Sequence, residues 1–351
     1  MKTEFGNRIK SARLLAGLSL RELASLLEGR VSHTAINKFE KGELMPDAKV
    51  LTALARLLNV NTDYFLRPKT VEITKIEFRK RNSLASKHRR SINESVIDHI
   101  ERYLELEGFL QIKNAFSNPV SRLMICNADD VEKAAEKILD VWRVGFNAIP
   151  NVVELLENKE VKVIEIAADE KFDGLSGWAN DEIPVVVINR DFSIERKRFT
   201  ALHELGHLLL NFDKGLDHRE VEKLCHRFAG AMLLPRPSIF NELGLKRKTI
   251  SLNELIFVKE SYGISMAATM SRAKDLGIIS NDQYVQFRIW VNRNERHKKE
   301  IGMGSFRGIE QSTRFKQLLY RATAEEIISM SKAASLGNMK LAEFRDEFMA
   351  I

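Results

Sequence analysis

The stretch that decides the fold of this chain is RFTALHELGHLLLNF, residues 198–212. It places His203 and His207 four residues apart, with Glu204 directly after the first histidine. Apolar residues recur between them at helical spacing, which predicts an α-helix that begins near Glu195. On such a helix the two imidazoles project from one face, about 5–6 Å apart at Cβ. Two nitrogens at that spacing can bind one Zn²⁺ ion at about 2.0–2.1 Å.

Glu204 lies one position around the predicted helix from the first histidine. Its carboxylate can therefore reach a metal-bound water without acting as a ligand. In that place it would take the proton of the attacking water and pass it to a leaving amine. The pattern predicts a catalytic metal site with Glu204 as the general base, because a purely structural site has no need of this carboxylate.

A catalytic zinc site needs a third protein ligand, and the next predicted helix, HREVEKLCHRFAGAMLLP at residues 218–235, offers several. Glu222 follows the second histidine by 15 residues. A carboxylate with two histidines leaves the fourth position open for water. The rival ligands are His218, Glu220 and His226. Spacing alone does not choose among these four side chains.

Residues 5–66 divide into short apolar-periodic segments separated by turn residues. They predict five helices: one that ends near Gly17, one capped by Ser19, one capped by Ser32, one from about Asp47 and a short one after Asn61. A tight turn between the second and third helices is typical of domains that place one helix in the major groove of DNA. The side chains expected to contact DNA are Ser32, His33, Thr34, Asn37, Lys38 and Lys41.

The charge is concentrated at the front of the chain. Residues 1–90 carry 19 Lys and Arg against 9 Asp and Glu, whereas the other 261 residues carry 36 against 39. A basic front is typical of a surface that meets DNA. The basic residues after Pro68 either bind phosphates of the DNA backbone or form a solvated linker. The alternative for the first domain is a small helical module that binds a protein.

Composition excludes several classes of protein. The 351 residues suffice for two or three domains. The only cysteines, Cys126 and Cys225, argue against a disulfide framework. No apolar run approaches the roughly 18 residues of a membrane span, and the N-terminus lacks the apolar core of a signal peptide. We therefore expect a cytoplasmic protein with no membrane partner.

Several further elements follow from periodicity. An amphipathic helix over 92–111 would suit an interdomain or dimer contact, and a second helix covers roughly 129–145. VKVIEIA at 161–167 and IPVVVIN at 183–189 predict strands, with FDGLSGWAND at 172–181 as a turn between them. The second strand could bind substrate if it forms a sheet edge. Trp178 and Asn180 are candidates for the substrate cleft. Near the C-terminus, RFKQLLYRATAEEIISMSKAA and LAEFRDEFM predict two helices.

Two family resemblances organise these motifs. LSLRELASLL, VSHTAINKFEKGE and LLNVNTDYFL resemble the Xre/Cro/C1-type helix-turn-helix family, although LEGRVS makes the turn two residues longer than is usual. FDGLSGWAN, IPVVVIN, RKRFTALHELGHLLLN and EVEKLCHRFAGAMLLP, in this order, resemble the ImmA/IrrE family of zinc metallopeptidases. The connector stretches EFRKR and ERYLELE resemble the fused branch of that family.

The second resemblance implies roles for particular residues. It places the third zinc ligand on Glu222, and it aligns Cys225 with a small packed residue. The family's following Asn is replaced by His226, which would support a ligating imidazole, donate to an oxyanion or compete for the metal. Tyr262 would either assist the transition state or only pack.

We therefore expect a multidomain chain with four parts. Residues 1–68 form an all-α five-helix Xre/lambda-repressor-like DNA-binding domain, and residues 69–128 a basic connector with an amphipathic helix. Residues 129–245 form an α+β zincin-like metallopeptidase domain. Residues 246–351 form a helical C-terminal extension.

The function expected from the resemblance is that of a transcription regulator with a zinc-dependent endopeptidase domain. Its partners would be a double-stranded DNA operator, bound as a homodimer, and a protein substrate such as a repressor or antitoxin. The setting would be a stress, mobile-element or toxin–antitoxin response. The alternative is a non-proteolytic repressor or antitoxin whose zincin-like domain serves as a sensor or docks a cognate toxin.

Overall fold

The structure of the protein is a computed structural model, and it describes residues 2–78, 86–113 and 115–349. The N-terminal part is helical. Its elements are α1 (Lys2–Leu15), α2 (Leu20–Leu26), α3 (His33–Glu40), α4 (Ala48–Leu57) and a short 3₁₀ helix (Thr62–Leu66). These five elements enclose a core of their own, with Ile9, Leu23 and Ile36 fully buried. The predicted five-helix domain is confirmed.

Local hydrogen bonds explain where these helices begin. The Ser19 hydroxyl accepts from the Glu22 amide, and the Glu22 carboxylate accepts in return from the Ser19 amide. Ser32 caps α3, and Asp47 caps α4, as predicted. Each of these side chains satisfies an amide that the first helical turn leaves without a partner.

A single long helix, α5 (Ser86–Phe109), connects the N-terminal domain to the rest of the chain. It begins six residues before the predicted helix. The buried Arg8 guanidinium donates to Glu101 at 2.6 Å, and the buried Lys162 ammonium donates to Glu107 at 2.6 Å. The helix therefore contacts both the N-terminal domain and the part of the chain that follows it, which is the interdomain contact that its amphipathic pattern predicted.

The basic connector contributes to this docking. At the start of α5, Lys87 forms an ion pair with Glu22 at 2.8 Å. Hydrogen bonds from Lys87 and from the Ser19 amide lower the pKa of Glu22 to about 2. The predicted phosphate-binding residues Arg79, Lys80 and Arg81 lie outside the described residues. At least one basic side chain of the connector thus contacts the N-terminal domain.

Four strands form the main sheet, in the order β1-β4-β5-β3. The strands are β1 (Ile73–Phe78), β3 (Lys162–Ile166), β4 (Gly174–Ala179) and β5 (Ile183–Asn189). β4 is antiparallel to both β1 and β5, whereas β3 and β5 are parallel. A second, two-stranded sheet joins β2 (Met124–Ile125) to β6 (Asn211–Phe212). The connector therefore supplies an edge strand that the sequence did not predict.

The predicted turn at 172–181 is wrong, because its central residues form β4. Two glycines in six residues argue against a strand on propensity alone. The structure gives the reason for one of them. A Cβ at Gly174 would lie 2.7 Å from both the Thr200 side chain and the Val187 carbonyl. Only glycine allows β4 to pack this closely against the helix that carries the histidines.

Twelve helices, α6 to α17, are described in the rest of the chain. They are α6 (Ala128–Val141), α7 (Val152–Asn158), α8 (Ile194–Leu209), α9 (His218–Leu233), α10 (Arg236–Leu243), α11 (Leu252–Tyr262), α12 (Met266–Asp275), α13 (Asn281–Asn292), α14 (Glu295–Lys298), α15 (Arg314–Ala324), α16 (Met330–Leu336) and α17 (Leu341–Met349). None of the described helices is long and apolar enough to cross a membrane.

The sheet is buried on both faces, which explains the unbroken apolar run of β5. Val186 and Ile188 face the main core, together with residues of α6, α8 and α9. Val185 and Val187 point the opposite way and pack in the cluster that contains Ile100 of α5. The α+β arrangement predicted for this part is confirmed.

The last three described helices, α15 to α17, pack in a cluster with α5 rather than in the main core. The sequence predicted one continuous helix over 314–334, and that prediction is wrong. The chain turns at Glu326, which has a φ of 56°, and Ser329 then caps a new helix. The separate segments α15 and α16 can each present small and aliphatic side chains to α5, which one straight helix cannot do.

Candidate metal centre

Two histidines project from the same face of α8. Ser193 caps this helix, and its apolar side chains, including Leu202 and Leu205, are buried in the main core. His203 is 1% exposed, and the Nε2 atoms of His203 and His207 lie 3.2 Å apart. The rigid helix therefore presents two ring nitrogens to one point.

Glu222 approaches the same point from α9, whose first turn is fixed by an Asp217–Glu220 capping box. Its Oε2 atom lies 3.5 Å from His203 Nε2, and its Oε1 atom lies 3.3 Å from His207 Nε2. Gly206 permits the close approach of the two helices. A Cβ at that position would lie 3.1 Å from the Phe228 ring.

The three donor atoms fit a tetrahedral metal ion. In a zinc site with bonds of about 2.0–2.1 Å, two ligand atoms lie about 3.3 Å apart. The observed separations of 3.2, 3.3 and 3.5 Å agree with this value. Among the described residues, His203, His207 and Glu222 form the one group of His, Cys, Asp and Glu side chains with this convergence. Three donors leave a fourth position for water or substrate.

The environment keeps the Glu222 carboxylate ionised. Burial opposes its charge, but hydrogen bonds from His203 and His207 outweigh burial, and the pKa of Glu222 falls well below its ordinary value. A carboxylate that is already deprotonated is the form that binds a metal cation.

Among the described residues, none of the rival ligands belongs to the converging group. Glu220 accepts a hydrogen bond from the Asp217 amide as part of the capping box, and His218 is exposed at the first position of α9. The ring of His226 packs edge-on against the His203 ring at 4.4 Å between centroids. His226 Nδ1 donates to the Glu222 carbonyl at 2.5 Å, which supports the ligand-bearing turn. The structure thus brings Glu222 to the histidines and places His226 beside them.

Glu204 is buried under the sheet and close to the donor group. Its Oε2 atom accepts a hydrogen bond from the Ser176 hydroxyl at 2.8 Å, and both residues are at most 1% exposed. Ser176 belongs to β4, so this contact links the sheet to α8. Ser176 was not among the predicted site residues, because residues 172–181 were predicted to form a turn. The signal was the alternation Gly174, Ser176, Trp178, which places these three residues on one face of a strand.

Cys225 and Tyr262 occupy supporting positions. The buried Cys225 Sγ atom lies 3.6 Å from His207 Nδ1, on the side away from the donor nitrogen. The Tyr262 hydroxyl donates to Glu242 at 3.1 Å. Burial, followed by the nearby Glu242 charge, raises the pKa of Tyr262. That hydrogen bond joins Tyr262 to α10, not to the donor group.

The two residues predicted for the substrate cleft also make contacts within the fold. Trp178 packs edge-on against Phe116 at 5.7 Å. The Asn180 side chain accepts from the Glu72 amide and donates to the Thr70 carbonyl, so it fixes the start of β1. β5 cannot bind a substrate strand, because β4 and β3 pair with its two sides.

The six predicted DNA-contacting residues lie on or beside α3. Ser32, His33, Thr34, Lys38 and Lys41 are exposed, and Asn37 is partly exposed. Behind them, Ile36 and Phe39 are buried in the N-terminal core. The helix therefore presents polar and basic groups outward from a rigid support.

The comparisons with known proteins agree with this two-part structure. Residues 9–65 match the helix-turn-helix family model, and residues 156–274 match the model of the IrrE N-terminal-like domain. Over 63 residues the chain is 36% identical to the SPbeta prophage-derived uncharacterized HTH-type transcriptional regulator YonR of Bacillus subtilis strain 168. That match covers 18% of this chain and 56% of the relative. The chain is therefore similar to the helix-turn-helix family over its front and to IrrE N-terminal-like domains over residues 156–274.

Proposed function

We propose that this protein is a DNA-binding transcription regulator whose second domain is a zinc-dependent endopeptidase. The observation that carries the proposal is the placement of Glu204. It directly follows the first donor residue on α8, it is 1% exposed, and its Oε2 atom accepts a hydrogen bond from Ser176. A site that only stabilised the fold would be closed by its ligands and would not need an oriented carboxylate.

The residues divide the chemistry among them. His203, His207 and Glu222 would hold the zinc ion. When bound, zinc lowers the pKa of a coordinated water and polarises a peptide carbonyl. Glu204 takes a proton from the attacking water while the oxygen of that water bonds to the carbonyl carbon. It then delivers the proton to the nitrogen as the C–N bond breaks. Ser176 keeps the carboxylate in the orientation that both transfers need.

The DNA-binding half would direct this activity. Ser32, His33, Thr34, Asn37, Lys38 and Lys41 would contact an operator, with two copies of the chain on a two-fold site. The proposed substrate is a repressor or antitoxin-type protein, whose cleavage would release transcription in a stress, mobile-element or toxin–antitoxin response. The relative's description as a transcriptional regulator supports the first half of this proposal.

The test compares the full-length protein with Glu204→Gln, each expressed beside the product of the neighbouring gene. We expect cleavage by the wild type and a rate about 10² to 10⁴ times lower in the variant, because a general base contributes about that much. Zinc content by mass spectrometry and operator affinity should be unchanged. Glu182→Gln, at an exposed glutamate, is the matched control. Intact partner in every sample, with DNA binding retained, would overturn the peptidase.

A second function is favoured by one observation. Ser176 pairs with Val186 of β5 on one side and with Glu77 of β1 on the other, so both sides of β4 are already occupied. A peptide cannot add to the strand nearest the metal centre while β1 is in place. This arrangement suits a non-proteolytic repressor or antitoxin whose second domain docks a toxin. Stable co-purification of an uncleaved neighbour with the zinc-loaded wild type would support it.

A further inference from the structure

A cavity of about 630 Å³ lies beside the metal centre, between α8, α9, α12 and α13. Phe199 and His226 form the wall on the side of the metal centre. The His226 ring lies 4.4 Å from the His203 ring, and the Phe199 ring lies 5.9 Å from the His226 ring. One residue of an extended peptide spans about 3.3–3.6 Å. The His226 ring is therefore the boundary that the cavity and the metal centre share, and it is about as thick as one residue of an extended peptide is long.

The cavity combines an apolar lining with a strong positive charge. Its apolar wall includes Leu224, Ala267 and Ala268. Its charged lining consists of Lys223, Arg227, Arg272, Lys274 and Arg288 against the single carboxylate Asp275. Such a lining fits a ligand with an aliphatic stem and an anionic end.

Part of this charge is fixed by the fold. The buried Glu132 carboxylate accepts from Arg272 at 2.9 Å and from Arg227 at 2.9 Å. One carboxylate thus serves two guanidinium groups, which leaves a net positive charge on the inner wall. Lys274 is neutralised separately by Asp275 at 3.0 Å.

The outer rim carries further positive charge. Lys223 on α9 and Arg288 on α13 are exposed, and the positive charge of Lys223 also acts on the Asp217 carboxylate at the start of α9. A plain solvated basic face would be convex and distant from the donors, whereas these two side chains flank a concave space that borders His226. The rim is therefore placed to attract an anionic group into the cavity.

We infer that this cavity is a specificity subsite that accepts a glutamate or aspartate side chain of the peptide bound at the metal centre. The inference rests on the proposed peptide-binding role of that centre. The methylene groups of the acidic side chain would lie along the apolar wall, and its carboxylate would meet Lys223 and Arg288. The substrate class is thus a protein with an acidic residue close to the scissile bond.

The test measures peptide binding and does not depend on cleavage. Full-length, zinc-loaded Glu204→Gln is immobilised and used to select from a displayed library of random heptapeptides. The same selection is run on protein that also carries Lys223→Glu and Arg288→Glu. A control carries Arg293→Glu, an exposed arginine just beyond the end of α13. Thermal unfolding checks that each protein is folded; the three residues whose charge is reversed are exposed.

We expect the selected peptides to be enriched in Glu and Asp relative to the input library. A representative peptide should bind about tenfold more tightly than its Gln counterpart, which corresponds to one charge-assisted hydrogen bond. The preference should disappear in the double charge reversal and persist in the Arg293→Glu control. Selection without acidic enrichment, or an acidic preference that survives the double reversal, would overturn the inference. A failure of peptidase activity alone would appear only in the cleavage assay and would leave this result intact.

Discussion

The DNA-contacting face and the metal centre use polar side chains in opposite ways. The face on α3 is one exposed helix, and its six residues lie within ten positions of sequence. The metal centre takes its groups from α8, α9 and β4; it buries His203 and Glu204, each 1% exposed, and leaves His207 and Glu222 partly exposed. A local face tolerates change because water replaces each lost contact. A buried centre does not, because its geometry depends on every supporting element.

The largest expected difference concerns the ion pair that anchors α8. Arg198 and Glu310 form a pair at 2.6 Å with both side chains fully buried, and Glu310 also accepts from the Val152 and Val153 amides. Glu310→Ala should lower the free energy of unfolding by about 3–5 kcal/mol, because it leaves a buried guanidinium without its partner. Urea denaturation of the full chain measures this change.

The control for that experiment is an exposed pair on the surface helix α15. Arg321 and Glu325 lie 2.8 Å apart with both side chains about half exposed. Glu325→Ala should change the free energy of unfolding by less than about 1 kcal/mol. If both variants lost the same free energy of unfolding, burial would not determine how much a polar pair contributes to stability.

A smaller effect is expected from the hydrogen bond that orients Glu204. Ser176→Ala should lower the cleavage rate about 10- to 100-fold, the usual range for a supporting contact in a metal site. The affinity for substrate should change less than the rate of the chemical step, so kcat should fall by a larger factor than KM rises. Zinc content and operator affinity serve as internal controls. A wild-type kcat in this variant would mean that β4 covers the centre without positioning its base.

The smallest effect is expected on the DNA-contacting face. Asn37→Ala should weaken operator binding about tenfold, because an amide that contacts a base edge discriminates by about 1–3 kcal/mol. Lys41→Ala is the matched comparison, since a phosphate contact weakens binding to all sequences and lowers its salt dependence. Fluorescence anisotropy on operator and random DNA separates the two. If Asn37→Ala weakened both DNAs equally, α3 would not be reading bases.

Sequence patterns predicted best where the relevant neighbours are close along the chain. Ser19, Ser32 and Asp47 cap their helices as expected, because capping joins a side chain to an amide three residues away. The two histidines of α8 share a face for the same reason, since their spacing is set by the helical period. The order of motifs also predicted both family matches.

Prediction failed where a distant part of the chain decided the outcome. The segment with Gly174 and Gly177 has poor strand propensity, yet it forms β4 because the sheet and α8 pack on it. The helix expected over 314–334 breaks at Glu326, because α5 offers two separate surfaces to pack against. Neither the packing of α8 on β4 nor the packing on α5 produces a periodic pattern of residues in the local sequence.

The sequence by itself determined the two domains, the helix with its two histidines and the set of residues from which a third donor could come. The tertiary structure decided that Glu222 reaches the histidines, that Glu220 caps α9 instead and that Ser176 holds Glu204. The physical reason is that spacing along one helix is fixed by backbone hydrogen bonds. The distance between two helices depends on packing, and here it depends on a glycine that lets α8 and α9 touch.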